Sequence, residues 1–273
     1  MNFILNTKLI DPASIVEKIS IASKTGWDGV ELWIEDIDAC GYKPSKINKI
    51  LKDFGMYCPT LEKINGWFEN DGGLMGVKND HNSIMLECRR RMEIAKELGC
   101  KYIIACPSFS HRGFFASEAQ GVNYFCELLE IGKEIGVLPS IEFMGQTGQI
   151  NTIETCLSFL KKINDPSAKM VVDSYHLWKG SGNVDGFEKA DLSEISVLHI
   201  SDANPNISRS DHWDRHRVFP GHGCIDLKKF AKICSSKKYD GDVCIGVYNP
   251  LYWSEYEKTS LKALNYTKEI FEK

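Results

Sequence analysis

Hydrophobic and polar positions along this chain repeat one pattern: a helix-spaced amphipathic run, a glycine, then a short run apolar at nearly every position. It reads IASKTG-WDGVELW, LKDFG-MYCPTL, AKELG-CKYIIACPS, GKEIG-VLPSIEF and SSKKYDG-DVCIGVYNP. A glycine at that point supplies the left-handed cap that ends a helix and turns the chain toward a strand. Runs that are apolar throughout, such as KYIIAC and KMVVD, suit a parallel sheet buried on both faces.

The pattern predicts eight strands, at Phe3–Asn6, Gly29–Trp33, Met56–Leu61, Lys101–Cys106, Val137–Glu142, Lys169–Asp173, Ile195–His199 and Asp242–Tyr248. Helices are predicted at Pro12–Lys24, Ser45–Phe54, Asn82–Leu98, Ala116–Ile135, Thr152–Ile163, Val184–Ala190, Leu227–Ser236 and Ser254–Phe271. Eight alternations of strand and helix spell an α/β protein, a single (β/α)8 TIM barrel. With no Pro, Ser or Gly linker to divide it, the chain is expected to form one domain over residues 1–273. An open doubly wound sheet competes, but no G-x-G-x-x-G follows the first strand and no Walker A loop is present.

Composition narrows the function. Hydrophobic residues make up 43% and charged residues 26%, as in ordinary soluble globular proteins. A net charge of −4 offers no general attraction to phosphate backbones, so nucleic acid is not an expected partner. The N-terminal stretch MNFILNTKLIDPAS lacks the marks of a signal peptide, and no run is long and apolar enough for a membrane span. A cytoplasmic protein with no membrane partner is expected. Ten cysteines occur without any C-x-x-C pair, which suggests buried thiols in a reducing compartment and not a disulfide frame.

In a barrel, chemistry gathers at the carboxyl ends of the strands. Glu142, Asp173 and His199 each close a predicted strand there. Two carboxylates and an imidazole form a ligand set suited to one divalent ion, Mn²⁺, Zn²⁺, Co²⁺ or Mg²⁺. Each also has a plainer reading: a helix N-cap for the Asp, a lysine pair for the Glu, a structural role for the His. Just after Asp173, His176 faces the substrate side of such an ion and Trp178 offers an apolar wall, with a core anchor as the alternative for the Trp. Trp33, Glu35, Lys63, Ser108, His111 and Arg112 follow earlier strands and are substrate-pocket candidates. The segment from Val197 to Gly223 adds His212, His216, His222, Asp211, Asp214, Arg209, Arg215 and Arg217, more chemistry than a plain connector carries.

At these residues the chain resembles the xylose-isomerase-like sugar phosphate isomerases and epimerases, most closely the inosose (2-keto-myo-inositol) isomerase branch. The resemblance spans the whole chain and rests on GWDGVELW, LGCKYIIACPS, Glu142, the D-x-x-H of Asp173 and His176, His199 followed by Asp202, DRHRVFPGHGCIDL and YDGDVCIGVYNPLYW. It implies Glu142, Asp173 and His199 as metal ligands, with His176 and Arg217 as substrate contacts. Glu142 doubles as proton acceptor in an α-proton transfer through a metal-stabilised enediolate. The expected substrate is a small polyhydroxylated ketone, an inosose or a ketose. A dehydratase of the inosose or 3-dehydroshikimate type, a non-catalytic sugar-binding barrel and a multi-zinc DNA-repair endonuclease are the competing readings. Trp253 and Tyr256 allow a homodimer.

One departure stands out. Where the family's last strand reads Val-Ser-Val-Glu-Leu-Phe, this chain has Val243-Cys244-Ile245-Gly246-Val247-Tyr248. The fourth ligand falls on Gly246. A deliberate substitution, a natural loss, or recruitment of Asp202, His222 or a water each accounts for it. Metal titration and turnover of a Gly246→Glu protein are expected to show gains in both.

Overall fold

A computed structural model of the chain describes residues 1–67, 75–78, 80–107 and 117–272. Ser108, His111 and Arg112 lie outside the described residues. The eight strands are β1 (Asn2–Asn6), β2 (Gly29–Trp33), β3 (Thr60–Asn65), β4 (Tyr102–Cys106), β5 (Leu138–Glu142), β6 (Lys169–Asp173), β7 (Ile195–Ile200) and β8 (Asp242–Ile245). All pair in parallel, in sequence order, and β8 closes the ring by pairing β1, with Asn2 opposite Asp242. The fold is therefore the closed eight-stranded barrel that the apolar runs predict. Helices cover the outside; the first, Ile15–Thr25, starts at a capping box between Ser14 and Glu17 and ends at Gly26, whose φ of 90° is left-handed.

Two layers of apolar packing result. A large outer core lies between barrel and helices, while Ile4, Ile104, Cys106, Met144, Val171, Val197 and Cys244 form a small cluster inside the ring. That inner cluster is the apolar floor beneath the polar mouth. Asp173 and His199 stand side by side in register on β6 and β7.

The third strand departs from expectation. It runs Thr60–Asn65 and not Met56–Leu61, with only an isolated bridge from Tyr57 to Gly29 before it. Pro59 explains the shift, because a proline cannot donate to a ladder and pairing starts after it. Glu62 and Lys63 are consequently strand residues, not rim residues. Strand β6 passes straight into a helix, Ser174–Ser181, capped by the Asp173 carboxylate, and the Val184–Ala190 helix is a short 3-10 turn, Asp185–Lys189. Strand β8 ends at Ile245, short of Tyr248.

The long segment after β7 is ordered by buried polar bonds. Asp202–Ala203 pairs antiparallel with Arg217–Val218, and Asp202 accepts the backbone N–H groups of Ala203, Gly221, Gly223 and Ile225 at 2.8–3.1 Å. A Cβ at Gly223 would lie 2.3 Å from Asp202 Oδ1, so glycine is required by that approach. His212, buried, accepts the Asn204 N–H through Nε2 at 3.0 Å and meets the Tyr175 hydroxyl at 3.2 Å. Burial lowers its pKa to about 4, so it is a neutral structural histidine. Replacing Asp202 by Ala leaves several N–H groups without an acceptor and is expected to cost about 3 kcal/mol, measured by urea unfolding.

Candidate active site

The mouth contains two polar groups that share Glu142. In the inner one, His199 stands between two carboxylates: its Nε2 is 3.2 Å from Glu31 Oε2 and its Nδ1 is 3.2 Å from Glu142 Oε1. Glu31 is fully buried and also accepts from Asn6 Nδ2 at 2.7 Å, Thr60 Oγ1 at 2.5 Å and Cys244 Sγ at 3.1 Å. Burial opposes the charge on Glu31 and on Glu142, yet the His199 charge and hydrogen bonds hold both carboxyls below their usual range. Burial likewise opposes protonation of His199, and the same two carboxylates outweigh it, so its pKa stands well above the ordinary imidazole value. Glu62 on β3 goes the other way: burial, reinforced by the charges of Glu31 and Glu142, pushes it well above the carboxylate range.

In the outer group Arg217 is the fixed cation. Its Nη1 donates to Asp173 Oδ2 at 2.8 Å and to Ser201 Oγ at 3.1 Å, and its Nε and Nη2 reach Asp214 Oδ1 at 3.0 and 2.8 Å. The guanidinium also lies over the rings of Tyr175 and Tyr248, 4.0 and 5.0 Å from their centroids. His176 Nε2 is 3.2 Å from Arg217 Nη2, while Nδ1 faces the Gly145 N–H at 3.3 Å. A neutral imidazole accepts at only one nitrogen, so only one of those contacts is a hydrogen bond. Burial, with Arg217 assisting against the pull of Asp173, lowers the pKa of His176 and favours that neutral form.

The donor atoms fit a divalent cation. Ligand atoms of Glu62, Glu142 and His199 lie within 4.8 Å of one another, as do those of Glu142, Asp173 and His176, and those of Glu31, His199 and Cys244. Oxygen and imidazole donors of this kind suit Zn²⁺ or Mn²⁺. One of the oxygens, Glu62 Oε2, is buried with no hydrogen-bond partner.

This barrel matches the family described as the xylose isomerase-like TIM barrel over residues 19–270. The chain belongs to that family. Within the xylose isomerase-like barrels it is 27% identical to the inosose isomerase of Halalkalibacterium halodurans over 279 residues, covering 97% of this chain and 94% of that protein. It is 23% identical to the 3-dehydroshikimate dehydratase of Pseudomonas aeruginosa, covering 86% of this chain and 36% of that longer protein. The solved structure of the IolI protein with a bound zinc atom superposes with a TM-score of 0.88 at 22% identity, covering 99% of this chain and 98% of that one, which shows the fold.

Against that family pattern, the expected residues separate. Glu142, Asp173, His176, His199 and Arg217 come together at one mouth. Trp33 and Lys63 meet there as well: Lys63 Nζ is 5.1 Å from the Trp33 ring, which contacts Tyr248 edge-on and donates its Nε1–H to Asn6. Trp178 is buried in the outer core against Tyr175 and His212, so it is the core anchor and not a pocket wall. Glu35 is exposed in the helix Ile34–Ala39.

The expected substitute ligands stand elsewhere. Both oxygens of Asp202 are occupied by backbone N–H groups, and His222 packs on Tyr266 at the outer face. Glu31 and Glu62 are the residues that sequence reasoning missed; Glu31 is the lone charge in the apolar run GVELW, a signal that was legible.

At Gly246 the ring of Tyr248 fills the gap, and a Cβ would lie 2.9 Å from its hydroxyl oxygen. A Gly246→Glu side chain must therefore displace that hydroxyl, and the single substitution is expected to gain less metal affinity than Gly246→Glu combined with Tyr248→Phe. Calorimetric titration with Mn²⁺ of both proteins checks this; equal gains contradict it.

Proposed function

We propose that this chain is a divalent-metal-dependent isomerase or epimerase of a small polyhydroxylated ketone, with an inosose as the leading substrate. The observation that carries the reading is the buried Glu142–His199 pair beside Asp173, Arg217 and His176 at the carboxyl ends of the barrel strands. The similarity to inosose isomerases over nearly the whole chain supports the substrate class.

Glu142 and His199 hold the ion in this reading, and a bound divalent cation supplies Lewis-acid polarisation of a substrate carbonyl. Glu142, kept ionised beside His199, accepts the proton from the carbon next to the ketone and returns it to the adjacent carbon or to the opposite face. Arg217 places a fixed positive charge at the same mouth, where negative charge develops on the ketone oxygen. Asp173 serves by locking that guanidinium in place. Neutral His176 and the Trp33 face contact the hydroxyls.

A dehydratase keeps the same proton abstraction but expels a hydroxyl, and similarity to the 3-dehydroshikimate dehydratase is the observation that favours it as second reading. Metal-loaded protein incubated with an inosose in D₂O separates these. Deuterium incorporation without a new ultraviolet absorption is expected, and Glu142→Gln is expected to slow it by roughly 10²- to 10⁴-fold. Exchange unchanged in that variant contradicts the role of Glu142, and a conjugated absorbing product identifies the dehydratase.

A further inference from the structure

The buried carboxyls of the inner group are unequally satisfied. Glu31 accepts from Asn6, Thr60, Cys244 and His199, and Glu142 from His199 at 3.2 Å and Cys106 Sγ at 3.4 Å. Glu62 is 1% exposed, yet its Oε2 has no hydrogen-bond partner. Leaving a carboxyl oxygen unpaired in a protein interior is costly whether or not the group is ionised, and a bound ion is one of the ordinary reasons such an atom is retained.

The outer group has no such deficit. Asp173 holds Arg217 at 2.8 Å, and Asp214 holds it from the other side. A second cation there would face a guanidinium already in place. The inner group has Lys63, next in sequence to Glu62 and within electrostatic reach of Glu62 and Glu142, as its competing counter-charge.

We propose that Glu62, from β3, takes over the ligand role that Gly246, just past the end of β8, leaves unfilled. The divalent ion is bound by Glu62, Glu142 and His199, whose donor atoms already lie within 4.8 Å of one another. On ion binding His199 releases its Nδ1 proton to solvent and uses that nitrogen as the ligand, with Nε2–H still donated to Glu31 at 3.2 Å, the usual arrangement of a metal-bound histidine with a carboxylate behind it. Asp173 is then a positioning residue for Arg217. This assignment rests on the metal-dependent reading above.

The test is titration of chelator-treated full-length protein with Mn²⁺ and Co²⁺, followed by calorimetry, cobalt visible absorption and thermal melting. Wild type is expected to bind one ion per chain. Glu62→Gln is expected to weaken binding at least tenfold, to lose the ion-induced rise in Tm, and to melt no lower than wild type when metal-free, since a buried carboxyl with an unpaired oxygen is replaced by a neutral group of the same shape. A purely structural Glu62 would lower the metal-free Tm instead. Should the Gln variant fail to fold, Glu62→Asp serves: an altered cobalt spectrum is expected, and an unchanged one overturns the proposal. If Glu62→Gln binds metal as wild type does, the proposal is overturned while the metal-dependent reading stands. If wild type takes up neither ion, both fall.

Discussion

Charge buried inside a closed ring of strands must be answered locally, and here the answer is the imidazole of His199. Glu31 and Glu142 are buried, and the barrel encloses a cluster of apolar side chains that includes Ile4, Ile104 and Val197, so bulk water does not solvate their charge. Removing one partner from a buried pair typically costs about 3–5 kcal/mol. His199, shared between two carboxylates at 3.2 Å each, therefore fixes the side chains of β2, β5 and β7 relative to one another. The positions of Thr60, Asn6 and Cys244 follow, since each spends its donor on Glu31.

The second cation arrives from outside the ring. Arg217 belongs to the segment after β7, yet it is as buried as any strand residue and reaches Asp173, Ser201 and the Gly246 carbonyl. The ring faces of Tyr175 and Tyr248 offset part of the lost hydration. The mouth thus has two halves, each with a cation held between two carboxylates and the two joined through Glu142: one built by the strands, the other completed by a loop. An isomerase needs both, a carboxylate that moves a proton and a positive field where oxygen gains charge.

Much of this was legible in the sequence. Repetition of helix, glycine and apolar run specified the barrel, because a parallel sheet covered by helices is the arrangement that hides such strands on both faces. Glu142, Asp173 and His199 could be placed at strand ends by counting alone. Glu62 could not, because Pro59 displaced the start of β3 by several residues and turned an apparent rim residue into an interior one. The bonds that immobilise Asp202, and the packing of Trp178 against His212, depend on contacts between segments well separated in the chain, and no local pattern encodes them.

Asp202 clamps both feet of the long segment at once, gripping Ala203 on departure and Gly221, Gly223 and Ile225 on return. Between those feet Arg217 and His212 turn inward and tie the stretch to Asp173 and Tyr175, while the run from Asn206 to Asp211 lies largely exposed. That leaves the exposed run as the interchangeable part: selection can rewrite it while the hinge points, the inward-facing Arg217 and the barrel's geometry stay as they are.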